Sequence, residues 1–417
     1  MVDSLNDGSI GDDYYITIGK LTIKREDKMK NQTNRYICLI AVLIFFVFFG
    51  LTDAKAAQTA PTLNKGEKWC IGYLEGGPFV NYQGSLRSTV QSLMTLGWIE
   101  KADIPKSSDI EDTKALWAWL SNTARSQYLE FAKGDYWSSE WKKDKRAQDT
   151  AQIKNRMNTA KDIDLFIAMG TWAGQDLVAI LDKIPVIVMS CSDPVKAKII
   201  KSEKDSGKDN VHAWCDPTRG ERRLRLFHDI LGFKRLGVIY EDSEDGRLYA
   251  DLSSVREISK ERDFRVIECT APDIGLTLQE CKDNVSFCIN EVAAKIDALA
   301  ISDHRGLHPK NFPEIIDPLL KNGVTAFTAV RGPTLVRRGV LMGIAREDYQ
   351  PLGNFYAETI AGVLNGSKPR DLAQIYKEPL KLAINLEAAR LLGYDIPPNV
   401  RKIADILYDK IDRTPLE

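Results

Sequence analysis

After Lys65 the chain alternates short apolar runs with amphipathic stretches, and this alternation limits the folds that it can adopt. Most runs are continuous in Val, Ile and Leu, as expected of parallel strands that helices cover on both faces. The predicted strands are residues 69–74, 164–169, 185–190, 235–240, 265–269, 297–301, 324–328 and 340–344. The pattern predicts an α/β fold built on parallel sheets.

Between the runs, apolar residues recur three and four positions apart, which is the spacing along one face of a helix. One such stripe consists of Tyr249, Leu252, Val255 and Ile258. A second stripe consists of Leu224, Phe227, Ile230 and Leu231, and Gly232 ends it. We predict a helix over each stripe, since glycine commonly follows the last turn of a helix.

One segment departs from this rhythm. Residues 104–149 hold four tryptophans amid polar residues, namely Trp117, Trp119, Trp137 and Trp141. We interpret this Trp-rich segment as an insertion or an elaborated crossover. Residues 211–217 (VHAWCDP) are our candidate for a hinge between two α/β halves.

The N-terminal region predicts export. An apolar run at 37–49 follows Lys30 and Arg35 and precedes Ala54-Lys55-Ala56. The run is short for a hydrocarbon core of about 30 Å, so we predict a secretory signal peptide at 29–56, with an uncleaved anchor as the alternative. Residues 1–28 carry six acids, which oppose the positive region of a signal peptide. We therefore expect Met29 to be the true start and 1–28 to be a non-native extension.

Removal of the signal peptide leaves six cysteines, which are Cys70, Cys191, Cys215, Cys269, Cys281 and Cys288. An even number in an exported protein permits disulfides. Cys281 and Cys288 are seven positions apart, which is about 10 Å along a helix and too far to bridge. We predict the pair Cys269–Cys288 and keep buried free thiols as the alternative.

Composition and motif content exclude several function classes. The formal net charge is −1, which provides no basic field for nucleic acid. The four histidines are widely spread, and the sequence has no HExxH, CxxC or GxxxxGK(S/T) motif. We expect no nucleic-acid partner, no metal site and no cofactor.

The C-terminal third carries an ordered series of short motifs: GVL at 339–341, DY at 348–349, LG at 352–353, LNGSKP at 364–369, AINLEAA at 383–389, LG at 392–393 and IPP at 396–398. Upstream, GT at 170–171, SDP at 192–194 and the run ending before Glu241 fit the same series. The sequence thereby resembles the ABC-transporter substrate-binding family of the tryptophan/tyrosine type, over about residues 66–408. The Trp-rich segment departs from the shorter form expected in that family.

This resemblance implies an α/β type I periplasmic binding protein fold, in which hinge strands join two Rossmann-like lobes with parallel sheets. The ligand is then held in the cleft between the lobes. On this basis we place the first lobe at 66–214 and the second at 218–330. The segment 331–417 is expected to return across the hinge and complete the lobes.

Ligands of open parallel sheets bind beyond the carboxyl ends of the strands. In the first half, the loops at these ends carry Glu75, Tyr82, Thr171, Trp172, Ser192 and Asp193. Thr171 and Ser192 are expected to contact ligand oxygens, and the ring of Trp172 can stack on a ligand. The alternatives are a plain turn after Glu75, helix capping by Thr171 and Asp193, and a core position for Trp172.

In the second half the corresponding residues are Glu241, Arg247, Ser302, Asp303 and Arg331. Arg247 opposes the dipole of the helix that it begins, so we interpret it as a clamp for a ligand carboxylate. A surface salt bridge is the alternative. Asp303 can accept from an ammonium or hydroxyl group of the ligand, with helix capping as the alternative.

These residues indicate recognition and not catalysis. Ser192, Asp193 and His212 or His304 do not indicate a catalytic triad, because the sequence has no GxSxG elbow. We predict a periplasmic, monomeric solute-binding protein, not an enzyme, that captures an amino acid or another small carboxylate. Its lobes are expected to close around the ligand and present it to an inner-membrane ABC permease. A ligand-sensing module of a membrane receptor and an exported α/β hydrolase are the alternatives.

Overall fold

In the computed structural model the described residues are 58–107, 109, 111–134, 136–312, 314–345 and 348–415. The extension expected at 1–28 and the signal peptide expected at 29–56 lie outside these ranges. By its internal contacts, Ala60–Glu417 forms one unit of the chain. No helix within the described ranges is long and apolar enough to cross a membrane.

The first sheet is parallel, with strand order β2-β1-β4-β5-β6, and β3 also pairs with β1. Its strands are β1 (Trp69–Glu75), β2 (Leu129–Phe131), β3 (Trp137–Ser138), β4 (Leu165–Met169), β5 (Val186–Met189) and β6 (Val211–Ala213). Every residue of β4 and of β5 is buried, because helices cover both faces of the sheet. The predicted strands at 69–74, 164–169 and 185–190 are thus confirmed within one or two residues at their ends.

Five helices cover this sheet: α1 (Val80–Thr95), α2 (Thr113–Asn122), α3 (Lys143–Thr159), α4 (Thr171–Ile180) and, from late in the chain, α11 (Gln350–Leu364). Helices α1, α2 and α11 enclose one apolar cluster, and α3 and α4 enclose another on the opposite face. Gly353 allows the close packing of α11 on α1, since a Cβ at this position would lie 2.5 Å from the backbone of Ser88.

The second sheet has the order β13-β12-β11-β10-β9-β7-β8 and is parallel except at the β11–β12 pair. Its strands are β7 (Arg235–Tyr240), β8 (Arg265–Thr270), β9 (Ala298–Ile301), β10 (Thr325–Thr328), β11 (Met342–Ala345), β12 (Lys381–Asn385) and β13 (Ile406–Tyr408). All five strands predicted in this half are confirmed. β12 and β13 were not predicted.

The helices of the second lobe are α5 (Arg219–Leu231), α6 (Glu244–Tyr249), α7 (Leu252–Glu261), α8 (Leu278–Val292), α9 (Ile316–Lys321), α10 (Gly332–Arg337), α12 (Leu386–Leu392) and α13 (Pro398–Ile403). The helix predicted over the Leu224 stripe is confirmed as α5, and Gly232 ends it with a φ of 63°. The single helix predicted from Tyr249 to Ile258 is wrong. Asp251 has a φ of 50°, which separates α6 from α7.

The predicted disulfide is present between Cys269 at the end of β8 and Cys288 in α8. The free cysteines among the described residues are Cys70, Cys191, Cys215 and Cys281, and all four are buried. The disulfide therefore ties a helix to the edge strand of the second sheet, while the other thiols belong to packed regions.

The chain passes between the two sheets three times: after β6, between β11 and α11, and before β12. Two of these passages run side by side, because the backbone N–H of Cys215 donates to Gln374 (2.8 Å) and that of Tyr376 donates to Cys215 (3.1 Å). Of the segment 211–217, the first three residues form β6, and the passage to the second lobe begins after them. This arrangement positions the loops of both sheets around a common space.

Candidate ligand site

A cavity of about 460 Å³ lies between the two lobes. It is lined by Phe79, Val80, Asn81, Gln83, Gly84, Ser190, Cys191, Ser192 and Trp214 of the first lobe and its passage, and by Arg219, Arg223, Asp303, Ala329, Val330, Arg331, Gly332, Pro333, Thr334, Ile344 and Tyr349. Most of these residues follow the carboxyl ends of strands, where a ligand is expected. The volume is in the range of small-molecule sites.

Hydrogen bonds and ring contacts hold the apolar part of the wall. Trp214 is 1 % exposed, and its indole N–H donates to the carbonyl of Tyr376 (2.9 Å). The ring of Phe79 contacts the ring of Tyr82 edge to face at 5.2 Å. The Tyr349 hydroxyl donates to Asn81 (2.8 Å), which links α1 to the passage before α11. These contacts fix flat apolar surfaces on this side of the cavity.

Arg219 brings a cation to this wall. Its guanidinium lies 4.8 Å from the centre of the Trp214 ring and donates to the carbonyl oxygen of Ser192. Among the described residues it forms no salt bridge within 4 Å, and Asp251 is a carboxylate that interacts with it at longer range. Arg223 lies one turn further along α5 and also lines the cavity. Cations near the start of a helix oppose its dipole, so their position indicates a role other than helix stability.

Arg331 holds a charge network at the second-lobe side. One terminal nitrogen donates to Asp303 (3.1 Å) and the other to Glu111 of the first lobe (3.4 Å). The guanidinium also lies 4.9 Å from the centre of the Phe79 ring. Its Nε is buried and has no hydrogen-bond partner among the described residues. Burial raises the pKa of Asp303, although the charge of Arg331 opposes that effect.

A cluster of hydroxyl groups adjoins the cavity. The Thr171 hydroxyl lies 3.5 Å from the sulfur of Cys191. Gly170, with a φ of 89°, lets Tyr82 pack against the backbone, since a Cβ there would lie 1.7 Å from the phenol oxygen. Burial raises the pKa of Tyr82 well above its usual value and the pKa of Cys191 to about 12. Both groups are therefore protonated near neutral pH, and Cys191 is not a nucleophile.

Trp172 lies outside the cavity lining and forms a contact between the lobes. It is 2 % exposed, and its indole N–H donates to Asp245 at the start of α6 (2.8 Å). Arg146 stacks on its ring at 4.4 Å, and Trp141 contacts it edge to face at 5.7 Å. The side chain thus joins the Trp-rich segment to the second lobe.

Glu75 is enclosed within the first lobe. Its carboxylate accepts hydrogen bonds from the hydroxyls of Tyr73 (2.7 Å), Tyr136 (2.6 Å) and Ser138 (2.8 Å). Burial raises its pKa to about 7, against the effect of these three donors. All its partners belong to the first lobe, and Glu75 does not line the cavity.

Four other predicted residues have local partners. Asp193 accepts from the backbone N–H groups of Val195 and Lys196 (3.0 Å each), which is the capping alternative. Arg247 is exposed and forms a salt bridge with Asp242, as its alternative predicted, although with a different acid. Ser302 donates to the carbonyl of Ile239 (2.6 Å), and Glu241 accepts from the backbone of Ile274 (3.3 Å).

The structure thus brings Ser192, Asp303 and Arg331 to the cavity, with Tyr82 and Thr171 beside it. It leaves Glu75, Trp172, Asp193, Glu241, Arg247 and Ser302 outside the lining. Arg219 and Arg223 were missed, although the argument applied to Arg247 fits them better. The signal was the group of three arginines within residues 219–223 (RGERR), which begins a helix directly after the candidate hinge.

Two solved structures share this fold. The ABC domain from Streptococcus pneumonia, in complex with L-Trp, superposes with a TM-score of 0.61 at 21% identity, covering 82% of this chain and 100% of that one. The ligand-free, open structure of a substrate binding protein with adhesive properties from Clostridium difficile has a TM-score of 0.55 at 20% identity, with the same coverage. The fold is that of type I periplasmic binding proteins, as predicted.

Sequence similarity extends to a named relative. The tyrosine-binding protein of Clostridioides difficile (strain R20291) is 25% identical over 256 residues, which is 58% of this chain and 70% of the relative. The family described as "ABC transporter substrate binding protein" matches residues 130–407, which is more than half of the chain. Members of this family bind solutes and are not enzymes, as the sequence indicated. The chain therefore belongs to the ABC transporter substrate-binding protein family.

Proposed function

We propose that the protein captures an amino acid in the cavity between its lobes and presents it, outside the cytoplasm, to an ABC permease. The observation that carries this proposal is the guanidinium of Arg219, which lines the cavity and forms no salt bridge within 4 Å among the described residues, while Asp251 acts on it only at longer range. A buried or half-buried cation of this kind suits the carboxylate of a ligand, through charge-assisted hydrogen bonds.

The opposite charge of a zwitterion also has a suitable partner. Asp303 lines the cavity, and among the described contacts only one of its carboxylate oxygens accepts a hydrogen bond from Arg331. Its second oxygen can accept from an ammonium group. Phe79, Trp214 and Pro333 provide apolar surface for a side chain. The named relative, a tyrosine-binding protein, and the L-Trp complex of a structural neighbour favour an aromatic amino acid.

The location of the protein outside the cytoplasm follows from the signal peptide expected at 29–56. Delivery of the ligand to a permease follows from the family. The two lobes contact each other directly in this structure, for example through Trp172 and Asp245. We infer that this is the closed form and that a permease distinguishes it from an open one.

The test is a thermal-shift screen of the exported protein over amino acids and small carboxylates, followed by calorimetry. L-Tyrosine and L-tryptophan should raise the melting temperature, since a ligand at 100-fold its Kd adds about 2.7 kcal/mol. Tyramine and tryptamine, which lack the carboxylate, should bind at least about 10-fold more weakly. R219M should remove that preference for the carboxylate.

R225M is the matched control. Arg225 lies on the same helix as Arg219 and pairs with Glu261 (2.8 Å) and Glu221 (3.2 Å), away from the cavity. We expect R219M to raise the Kd about 10- to 100-fold and R225M to change it less than about twofold. Equal effects of the two variants, or no binding of any compound by the wild type, would contradict the proposal.

A further inference from the structure

One carboxylate of the Trp-rich segment, that of Glu111, contacts side chains of the second lobe. Oε1 of Glu111 lies 3.4 Å from Nη2 of Arg331 and 3.4 Å from Nε2 of His308. Arg331 and His308 both belong to the second lobe, whereas Glu111 lies two residues before the start of α2 in the first. The contact therefore exists only when the two lobes are together.

The first-lobe side of this contact is firmly anchored. The side-chain amide of Gln83 on α1 donates to the carbonyls of Asp109 (3.1 Å) and Asp112 (3.4 Å), on either side of Glu111. The Asp109 carboxylate accepts from the backbone N–H of Glu111 (2.9 Å). Asp112 caps α2 by accepting from Ala115 (3.0 Å). These bonds hold the turn against the helix that lines the cavity.

The second-lobe side is equally defined. Nδ1 of His308 accepts from the backbone N–H of Lys310 (3.1 Å), so the proton of a neutral ring lies on Nε2, facing Glu111. The side chain of Arg331 is only 5 % exposed, and Asp303 holds its other terminal nitrogen. The position of the Arg331 guanidinium thus depends on one acid from each lobe.

The electrostatics agree with this geometry. Burial of Glu111 would raise its pKa, but the hydrogen bond from His308 and the charge of Arg331 lower it to about 2. The carboxylate is therefore ionised at physiological pH. An exposed surface pair contributes little, whereas a half-buried carboxylate with two donors is costly to leave unpaired.

We propose that Glu111 is a positioning residue that latches the lobes shut and fixes Arg331 at the ligand cavity. This gives the Trp-rich segment a role in closure. Only the expected effect of Glu111 on ligand affinity rests on the proposed function. The latch itself is defined by contacts between the lobes. In the open form the three groups are solvated, and closure brings them together.

The experiment compares E111Q with the wild type in the full chain. E111Q keeps the size of the side chain and removes its charge. E140Q is the control, because Glu140 lies in the same segment and its recorded pair is a local one with Lys142 (3.0 Å). Spin labels at K154C and K260C, exposed positions of the two lobes, report the distance between the lobes by double electron–electron resonance.

E111Q without ligand should shift the distance distribution toward longer separations, while E140Q should match the wild type. With L-tyrosine or L-tryptophan, E111Q should raise the Kd about 10-fold, with little change in the melting temperature of the ligand-free protein. An unchanged distance distribution in E111Q overturns the latch, whatever the ligand result. If the wild type binds neither amino acid but E111Q opens the lobes, the latch stands and the proposed ligand fails.

Discussion

The buried carboxyl group of Glu75 makes a quantitative prediction about stability. It is fully buried at the end of β1, with Tyr73, Tyr136 and Ser138 as hydrogen-bond donors. Burial raises its pKa from 4.5 to about 7. Between these two pH values the folded protein retains a proton that the unfolded chain releases. The free energy of unfolding is therefore expected to fall as the pH rises through this window.

The magnitude follows from the pKa difference. One pKa unit corresponds to about 1.4 kcal/mol, so ionisation of Glu75 should lower the free energy of unfolding by about 3 kcal/mol between pH 4 and pH 8. The contribution is fully present below pH 4.5 and is lost by the time the pH exceeds 7. Other acids titrate in the same range, so the wild-type curve alone does not isolate this effect.

E75Q isolates it. Glutamine keeps the shape of the side chain and cannot ionise, and the hydroxyls of Tyr73 and Tyr136 can rotate to accept from its amide. Urea unfolding of both proteins at pH 5 and pH 8 gives the two differences. The free energy of unfolding of E75Q, relative to that of the wild type, should rise by about 2–3 kcal/mol from pH 5 to pH 8. Parallel pH profiles of the two proteins would show that Glu75 does not hold its proton in the folded state.

Two further predictions concern the lobe contact and the disulfide. W172F removes the indole N–H that donates to Asp245 (2.8 Å). It should raise the Kd for L-tryptophan or L-tyrosine about 5- to 10-fold in calorimetry. An unchanged Kd would show that the contact is not part of closure. C269A/C288A opens a loop with a sequence separation of 19 and should lower the free energy of unfolding by about 3 kcal/mol in urea, whereas a loss below about 1 kcal/mol would show that α8 is held by its packing alone.

The strands that could be predicted are those whose composition reports burial directly. β4, β5 and β9 are apolar at every position, because they lie inside covered sheets. β2 and β3 are two or three residues long and contain Glu130 and Ser138. Their pairing with β1 decides their conformation, and that pairing is not visible in so short a sequence.

The site was predictable only in part, for a related reason. Loops at the carboxyl ends of strands identified Ser192, Asp303 and Arg331, because topology alone places those ends together. Arg219 follows no predicted strand, so the same rule did not reach it. Arg247 was a candidate because of its charge at a helix start, yet the nearby Asp242 satisfies that charge, as the salt-bridge alternative expects. Which cations find local partners depends on side-chain geometry that the sequence does not contain.

Contacts between the lobes have a further consequence for the proposed function. The indole N–H of Trp172 meets Asp245, Glu111 meets Arg331, and Lys196 lies 3.7 Å from Asp251. The polar groups of each pair can bind water instead in an open form. Exchanging water for such partners gains about 0–1 kcal/mol for an exposed pair and somewhat more for a half-buried one. These three polar contacts therefore favour the closed form by a few kcal/mol at most. A ligand shifts such an equilibrium only by its difference in affinity for the two forms. Arg219 and Asp303 can supply that difference, because a ligand held by both would contact the two lobes at once.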